Sequence, residues 1–389
     1  MPTQREVIVI VEKSRAYGRG LLRGIARYAA IHGPWQLRME PEFYRFSRRQ
    51  SKKWMAQKRA DGVIAHLADV ATIESVIASG VPAVIAGIRE PAAGAHMLMT
   101  DDEAIGRMAM DYFSDRGFRQ FAYCGLDEMY WSRQRGEAFS RKVQEAGCEI
   151  RLYESPKGRR PRNDEAEISL LADWLRSLPK PTALLACNDD RSRQVLAACK
   201  AAELQVPDEI AILGIDNDEL VCEIEYPQLS SITLNVEAAG YAAATLLDRL
   251  ITGRQVSRAE GRVVVSPLYV AGRQSTDVLA AKDREVTAAL RFIREHAREG
   301  IQVGDVVEAT ALSRRALQQR FRRVLGRPIH DEIKRAQIDY MARLLVTTNL
   351  PIAEIARLLQ STEVRNIARY FRRRTGLTPS QYRRRHSIR

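Results

Sequence analysis

The chain has 389 residues, more than one ordinary hydrophobic core organises and enough for two or three domains. Its formal charge of +13 lies at one end: residues 286–389 carry 22 Lys and Arg against 9 Asp and Glu, while residues 1–285 carry 39 of each. A neutral body with a basic appendage points to a polyanion reached by that appendage. No apolar run approaches the roughly 20 residues a membrane helix needs, so a membrane partner is not expected.

Residues 1–11 hold an apolar run too short for a secretion signal and read as a first strand. From there to Pro267, short β-branched runs alternate with helical patterns. Strands are predicted at 6–11, 62–67 and 82–88, followed by helices over 17–31, 71–79 and 102–116. Residues 121–126, 182–188 and 211–216 repeat the strand pattern. Continuous apolar strands separated by amphipathic helices predict parallel sheets covered on both faces. Such sheets hold ligands at the C-terminal ends of their strands. So many strands in so long a stretch favour two α/β lobes.

Cys124, Cys148, Cys187, Cys199 and Cys222 are odd in number and lack CxxC spacing. They predict reduced, mostly buried thiols in a cytoplasmic protein. The six histidines, at 32, 66, 96, 296, 330 and 386, form no ligand spacing and read as incidental. No Walker A loop, GxSxG or HExxH motif occurs, so neither an enzyme nor a cofactor is expected. A transport-type binding protein is opposed by the missing export signal and the basic end. Residues 277–285 turn polar and read as a linker between residues 1–276 and 286–389.

The basic part predicts an all-α domain with two helix-turn-helix units. In the first, Ser313 caps a helix in which Leu317, Phe321 and Val324 form the buried stripe, leaving Arg314, Arg315, Gln318, Gln319 and Arg322 outward. The second opens at Pro351, suited to a first helical turn, and turns near Gln360 and Ser361. Its following helix carries Ile367, Tyr370 and Phe371 inward and leaves Arg365, Asn366, Arg369, Arg372 and Arg373 on its other faces. Exposed Arg and Gln are the side chains that pair with guanine and adenine in a major groove, while neighbouring Arg residues neutralise phosphates. An Arg-rich helix is also compatible with a plain solvated face, but two such units in tandem favour double-stranded operator DNA.

Residues 289–385 resemble the DNA-binding domain of AraC/XylS regulators, including the closing signature Phe371-Arg-Arg-Arg-Thr-Gly376-Leu-Thr-Pro379-Ser-Gln-Tyr382-Arg. The resemblance implies seven helices, with a long one over residues 329–347 joining the units. It also implies DNA contacts from Arg315, Gln318 and Gln319 in the first unit and Val364, Arg365, Ala368 and Arg369 in the second. One departure is Gln360-Ser361, where the family usually has Gly followed by an aromatic residue.

The first 276 residues are similar to the sugar-sensing domain of LacI/GalR repressors, a relative of periplasmic binding proteins. The segments that carry the likeness are residues 7–11, Thr100-Asp-Asp-Glu-Ala-Ile-Gly106, Arg133-Gln-Arg-Gly136 with Phe139, and Gly214-Ile-Asp216-Asn-Asp218. Leu185-Ala-Cys-Asn188-Asp189 is a fifth, weaker match. A sensor of this type followed by an AraC-type domain is the architecture of the XylR family of xylose-operon regulators. That resemblance implies a monosaccharide effector, a pentose such as D-xylose, together with activation of transcription through RNA polymerase and a homodimer. The alternatives are a repressor sensing a sugar acid or a phosphorylated sugar, and, further from the pattern, an enzyme tethered to DNA.

A sugar presents hydroxyls that donate and accept, and a C–H face that stacks on an aromatic ring. Asp216 follows a predicted strand, and the resemblance gives it the role of holding sugar hydroxyls and gives Arg133 the place of a ligand-binding arginine. Asp101 and Asp189 sit at other strand ends, where helix capping is the competing role. Tyr17 and Trp131 are the stacking candidates, with ordinary packing as the alternative.

Overall fold

The structure, a computed structural model, describes residues 5–33, 35–39, 60–67, 70–87, 96–154, 163–257, 260–277, 283–359 and 364–386. The chain begins with β1 (Arg5–Ile10), α1 (Ala16–His32), β2 (Trp35–Met39), β3 (Gly62–Leu67), α2 (Val70–Ala78), β4 (Ala83–Gly87) and β5 (His96–Thr100). It continues with α3 (Asp102–Ser114), β6 (Phe121–Cys124), α4 (Tyr130–Glu145), β7 (Ile150–Leu152), α5 (Asp164–Ser177), β8 (Thr182–Ala186), α6 (Asp189–Ala201) and β9 (Ile210–Asp216). Then come α7 (Glu219–Glu223), β10 (Ser230–Leu234), α8 (Val236–Ile251), β11 (Arg262–Val265) and β12 (Pro267–Ala271).

These strands form two sheets, one per lobe. The first has the order β11-β5-β4-β3-β1-β2 and is parallel throughout. The second has the order β12-β10-β9-β8-β6-β7, with only β12 antiparallel. β6 and β8 are buried at every position, as expected of strands covered by helices on both faces. No strand is predicted from sequence at β2, β5, β7, β10, β11 or β12. β2, β7, β11 and β12 are sheet edges, where apolar content is short or alternating and β11 buries only every second residue, while β5 and β10 lie inside the sheets with polar residues interrupting short runs. The chain passes between lobes three times, from β5 to α3, from β10 to α8 and from β11 to β12. Asp101 N donates to Val265 O at 3.0 Å and Asn235 N to Ser266 O at 2.9 Å, which ties the three crossings into one hinge.

Seven helices follow: α9 (Arg284–Glu295), α10 (Val303–Glu308), α11 (Arg314–Leu325), α12 (Ile329–Thr347), α13 (Ile352–Leu358), α14 (Val364–Thr375) and α15 (Pro379–His386). They enclose two small cores. Leu290, Ile293, Val306, Leu317 and Phe321 form the first, and Met341, Leu345, Ile355, Ile367 and Phe371 the second. α12 serves both, contributing Ile329 and Ile333 to one and Ile338 and Met341 to the other. The predicted Ser313 cap is present, its side chain accepting from Ala316 N at 3.4 Å. Pro351 stands one residue before the helix, as the N-cap of α13. Gln360 and Ser361 lie outside the described residues.

Candidate effector cleft and DNA-binding helices

Between the two lobes lies a cavity of about 300 Å³, open at one side. Glu12, Tyr17, His66, Met97 and Met99 line it from the first lobe, and Asp102, Trp131, Arg135, Asn188 and Asp216 from the second. Strand ends and helix starts supply nearly all of these, because the parallel topology gathers them at one edge of each sheet.

Arg135 and Asp216 form its polar centre. The Arg135 side chain is 3% exposed, so its charge needs partners. Nη1 donates to Cys187 O at 2.6 Å, Nη2 lies 3.5 Å from Asp216 Oδ1, and Nε lies 3.7 Å from Asp102 Oδ1. The guanidinium carbon sits 4.8 Å from the centre of the Trp131 ring, a cation–π distance. Asp216 ends β9 with φ of 103° and Asn217 follows at 50°, conformations that L-residues rarely adopt. Asn217 N donates to Ser231 Oγ at 3.0 Å and Arg273 Nη1 to Asn217 Oδ1 at 2.9 Å, so the second lobe holds this turn in place. Strain held by its surroundings at a cleft is a common mark of a working site.

Burial pushes the Asp216 carboxyl up to about 6, with Arg135 pulling the other way. Burial alone would lower the Arg135 guanidinium, but Asp216 and Asp102 beside it hold it above its ordinary value. Burial also brings the His66 ring down to about 4. His66 is therefore a neutral ring at pH 7, and its centroid lies 5.1 Å from that of Tyr17. Asp216 Oδ1, Arg135 Nε and His66 Nδ1 are buried without a hydrogen-bond partner among the described residues. Unpaired buried polar atoms are costly, and three around one cavity fit a ligand rich in hydroxyls.

Of the six residues proposed from sequence, Asp216, Trp131 and Tyr17 line this cavity. Arg133 does not; its Nη1 donates to Asp127 O at 2.7 Å, and Arg135 occupies the position expected of it. The physical signal was available, since Arg135 shares the buried helix face of Ser132, Gly136 and Phe139, whereas two residues of helix turn Arg133 away. Asp101 is also outside the lining, and its carboxylate caps α3 by accepting from Ala104 N at 3.0 Å. Asp189 lies behind Asp216, accepting from Ser231 Oγ at 2.5 Å and Asp218 N at 2.7 Å. Burial, reinforced by Asp216, pushes Asp189 up to about 8. His66, expected to be incidental, is a wall of the cavity, as are Asp102 and Asn188.

The rim is fastened across the lobes. Arg15 donates to both oxygens of Asp190 at 2.8 and 3.0 Å, and Arg19 to both of Asp218 at 3.0 and 3.1 Å. Asp218 also accepts from Ala16 N at 2.7 Å, which makes it a clasp between lobes.

In the basic domain, Leu317 and Phe321 turn α11 so that Arg314, Arg315, Gln318, Gln319 and Arg322 are exposed. In α14, Ile367 and Phe371 face inward, Arg369 and Arg372 are exposed and Ala368 is half-buried. The side chains of Val364 and Arg365 lie outside the described residues.

Residues 110–276 match the periplasmic binding protein-like domain family, and residues 306–385 match a helix-turn-helix domain family. The chain is 30% identical over 388 residues to the xylose operon regulatory protein of Escherichia coli strain K12, covering 98% of this chain and 97% of that protein. The protein of the same description from Haemophilus influenzae is 30% identical over 386 residues, covering 97% and 98%. A solved structure of the xylose-binding transcription activator xylR superposes with a TM-score of 0.62 at 29% identity, covering all of both chains. With a two-lobed sensor, two helix-turn-helix units and end-to-end similarity of this kind, the chain belongs to the xylose operon regulatory protein family of transcription regulators.

Proposed function

We propose that D-xylose is the effector of this DNA-binding regulator, held in the interlobe cavity by Asp216 and Arg135 against Trp131 and Tyr17. The observation that carries this is the Arg135–Asp216 pair with its unpartnered polar atoms beside an aromatic wall. Glu12, Asp102 and Asp216 outnumber Arg15 and Arg135 around the cavity, which favours a neutral sugar over a phosphorylated sugar or sugar acid. The names of the relatives agree. Binding favours the closed lobes by bridging both sides of the hinge. A thermal-shift screen of monosaccharides on the purified chain tests the assignment. D-xylose at 100 times its Kd should stabilise the sensor by about 2.7 kcal/mol, a shift of roughly 5–10 °C for a domain of this size. A shift with a sugar acid or sugar phosphate, and none with D-xylose, would replace it.

We propose that α11 reads base edges through Arg315, Gln318 and Gln319 while Arg314, Arg322 and Arg372 hold phosphates. Gln319→Ala should lose about 1–3 kcal/mol at one base position only, and Arg372→Ala should weaken all duplexes about equally. Equal losses on specific and random DNA for Gln319→Ala would remove it from base reading. In α14, Val364, Arg365, Ala368 and Arg369 are proposed to read a second groove segment, with activation through RNA polymerase bound beside the operator.

Pairing of two chains is proposed through the patch formed by Leu220, Ile224 and Tyr226, which are 70%, 72% and 77% exposed. Three large apolar side chains exposed within seven residues of one another offer a surface for association. Ile224→Asp should turn a dimer into a monomer in sedimentation velocity, and an unchanged sedimentation coefficient would exclude this face.

A further inference from the structure

One carboxylate of the sensor is gripped from three directions by the DNA-binding domain. Asp115 caps the C-terminal end of α3, and 15% of its side chain is exposed. Arg327, in the turn between α11 and α12, brings Nη1 to 3.6 Å from Oδ1 and donates from Nη2 to the Asp115 carbonyl at 2.8 Å. Arg335 of α12 pairs with Oδ2. Arg374, in the last turn of α14, donates to Oδ2 at 3.4 Å. Glu332 accepts from Arg327 Nε at 2.6 Å, and Asp339 from Arg374 Nε at 3.3 Å. Three guanidinium groups are thus met by three carboxylates in one network. A second tie lies nearby, where Tyr382 Oη donates to Leu268 O of β12 at 2.6 Å.

The other end of α3 is in the effector cavity. Asp102, its first residue, lines the cavity and lies 3.7 Å from Arg135 Nε. A helix of this length is a rod of about 20 Å, and its C-terminal carbonyls favour the cations gathered around Asp115. A shift of Asp102 toward or away from Arg135 therefore moves the point on which Arg327, Arg335 and Arg374 converge. These three belong to the exit of the first helix-turn-helix unit, to the joining helix and to the second recognition helix.

We propose that Asp115 is a positioning residue for DNA recognition, which orients both helix-turn-helix units on the sensor and relays to them, through α3, the state of the effector cavity. Surface ion pairs contribute little one at a time, but a shared, mostly buried carboxylate ties three arginines to the sensor at once; without it Arg327 and Arg374 keep, among the described residues, only the carboxylates of Glu332 and Asp339, both in the DNA-binding domain.

Hydrogen exchange of the full-length chain without ligand tests the anchoring. Asp115→Asn should raise exchange in α12 and α14 several-fold while β8 and β9, deep in the second lobe, keep their protection. Asp115→Glu, which retains the carboxylate, should restore most of it. Unchanged exchange in α12 and α14, or equal loosening of β8 and β9, overturns the proposal.

A second arm rests on the D-xylose assignment and tests the relay. On a duplex selected from a random pool by the wild-type protein, saturating D-xylose should change affinity by about tenfold or more. In Asp115→Asn that ratio should fall to about one, while calorimetric D-xylose affinity stays close to wild type. A ratio equal to that of the wild type overturns the relay. Absence of calorimetric D-xylose binding to the wild-type protein would instead overturn the effector assignment, and the exchange experiment would still decide the anchoring.

Discussion

Asp216→Asn should lower D-xylose affinity at least 100-fold while basal DNA affinity stays at the wild-type level. A hydrogen bond to a charged group is worth about 1.5–3 kcal/mol, so two sugar hydroxyls on the carboxylate account for roughly 3–6 kcal/mol. An amide keeps the shape and gives up the charge. Calorimetry at pH 7.5 measures the loss, and a change below about fivefold would remove Asp216 from the site. The wild-type protein should also show a pH dependence that the variant lacks. Because Asp216 titrates near 6, sugar affinity falls as the pH drops through that value and the acceptor is protonated. Stability of the free sensor moves the other way. Asp216 and Asp189 have folded values raised to about 6 and about 8, so their contribution is complete below the unfolded value near 4 and is lost as pH rises through 6 and then 8. Melting of the ligand-free protein should be higher at pH 5.5 than at 8.5 by several degrees from these groups, and Asp216→Asn should remove part of the difference.

Gly24→Ala is expected to destabilise the sensor although alanine favours helices. In α1 a Cβ at position 24 would stand 2.0 Å from Glu237 O and 2.5 Å from Tyr241 N, both backbone atoms of α8. Gly240 answers it from α8, where a Cβ would stand 2.3 Å from Leu21 O. Backbone cannot rotate aside as a side chain does, so the helices must separate. The gain in helix propensity is about 1 kcal/mol, and overpacking costs about 1–3 kcal/mol, with two backbone contacts this short placing position 24 at the upper end. The clash wins, and the sensor should melt roughly 4–8 °C lower. Sugar binding should weaken with it, since α1 also carries Tyr17 and the Arg19 clasp to Asp218. A melting temperature equal to or above that of the wild type would mean that the two helices do not pack this closely.

Much of the architecture was legible from local pattern. The basic domain is written in helix periodicity: Leu317 and Phe321, or Ile367 and Phe371, recur at the spacing that buries one face and exposes Arg and Gln on the other. β1, β3, β4, β6, β8 and β9 are equally plain, because strands covered on both faces read as apolar throughout. β2, β7, β11 and β12 escape such a reading because a short edge strand needs no long apolar run, and β5 and β10 escape it because His96 and Thr100, or Ser230, Ser231 and Thr233, break up their short apolar runs. The cleft was half legible. Asp216 stands at the end of a long apolar strand, and parallel sheets put ligands there. Asp101 also stands at a strand end, yet its carboxylate turns to the orphan N–H of α3, a competition between capping and binding that residue type does not resolve.

The sequence by itself determined the division of labour: a neutral α/β sensor, a basic pair of helix-turn-helix units, and helices whose outward Arg and Gln are set by which neighbours must be buried. Those are local or compositional properties, carried by spacing and charge within a few tens of residues. Tertiary structure alone decided that Asp216 is what Arg135 meets, that His66 walls the cavity, and that Asp218 and Asp115 serve as clasps. Each depends on groups far apart in the chain, such as Ala16 with Asp218 or Asp115 with Arg374. A charge acquires such a role from what burial leaves beside it, and only the folded chain specifies that.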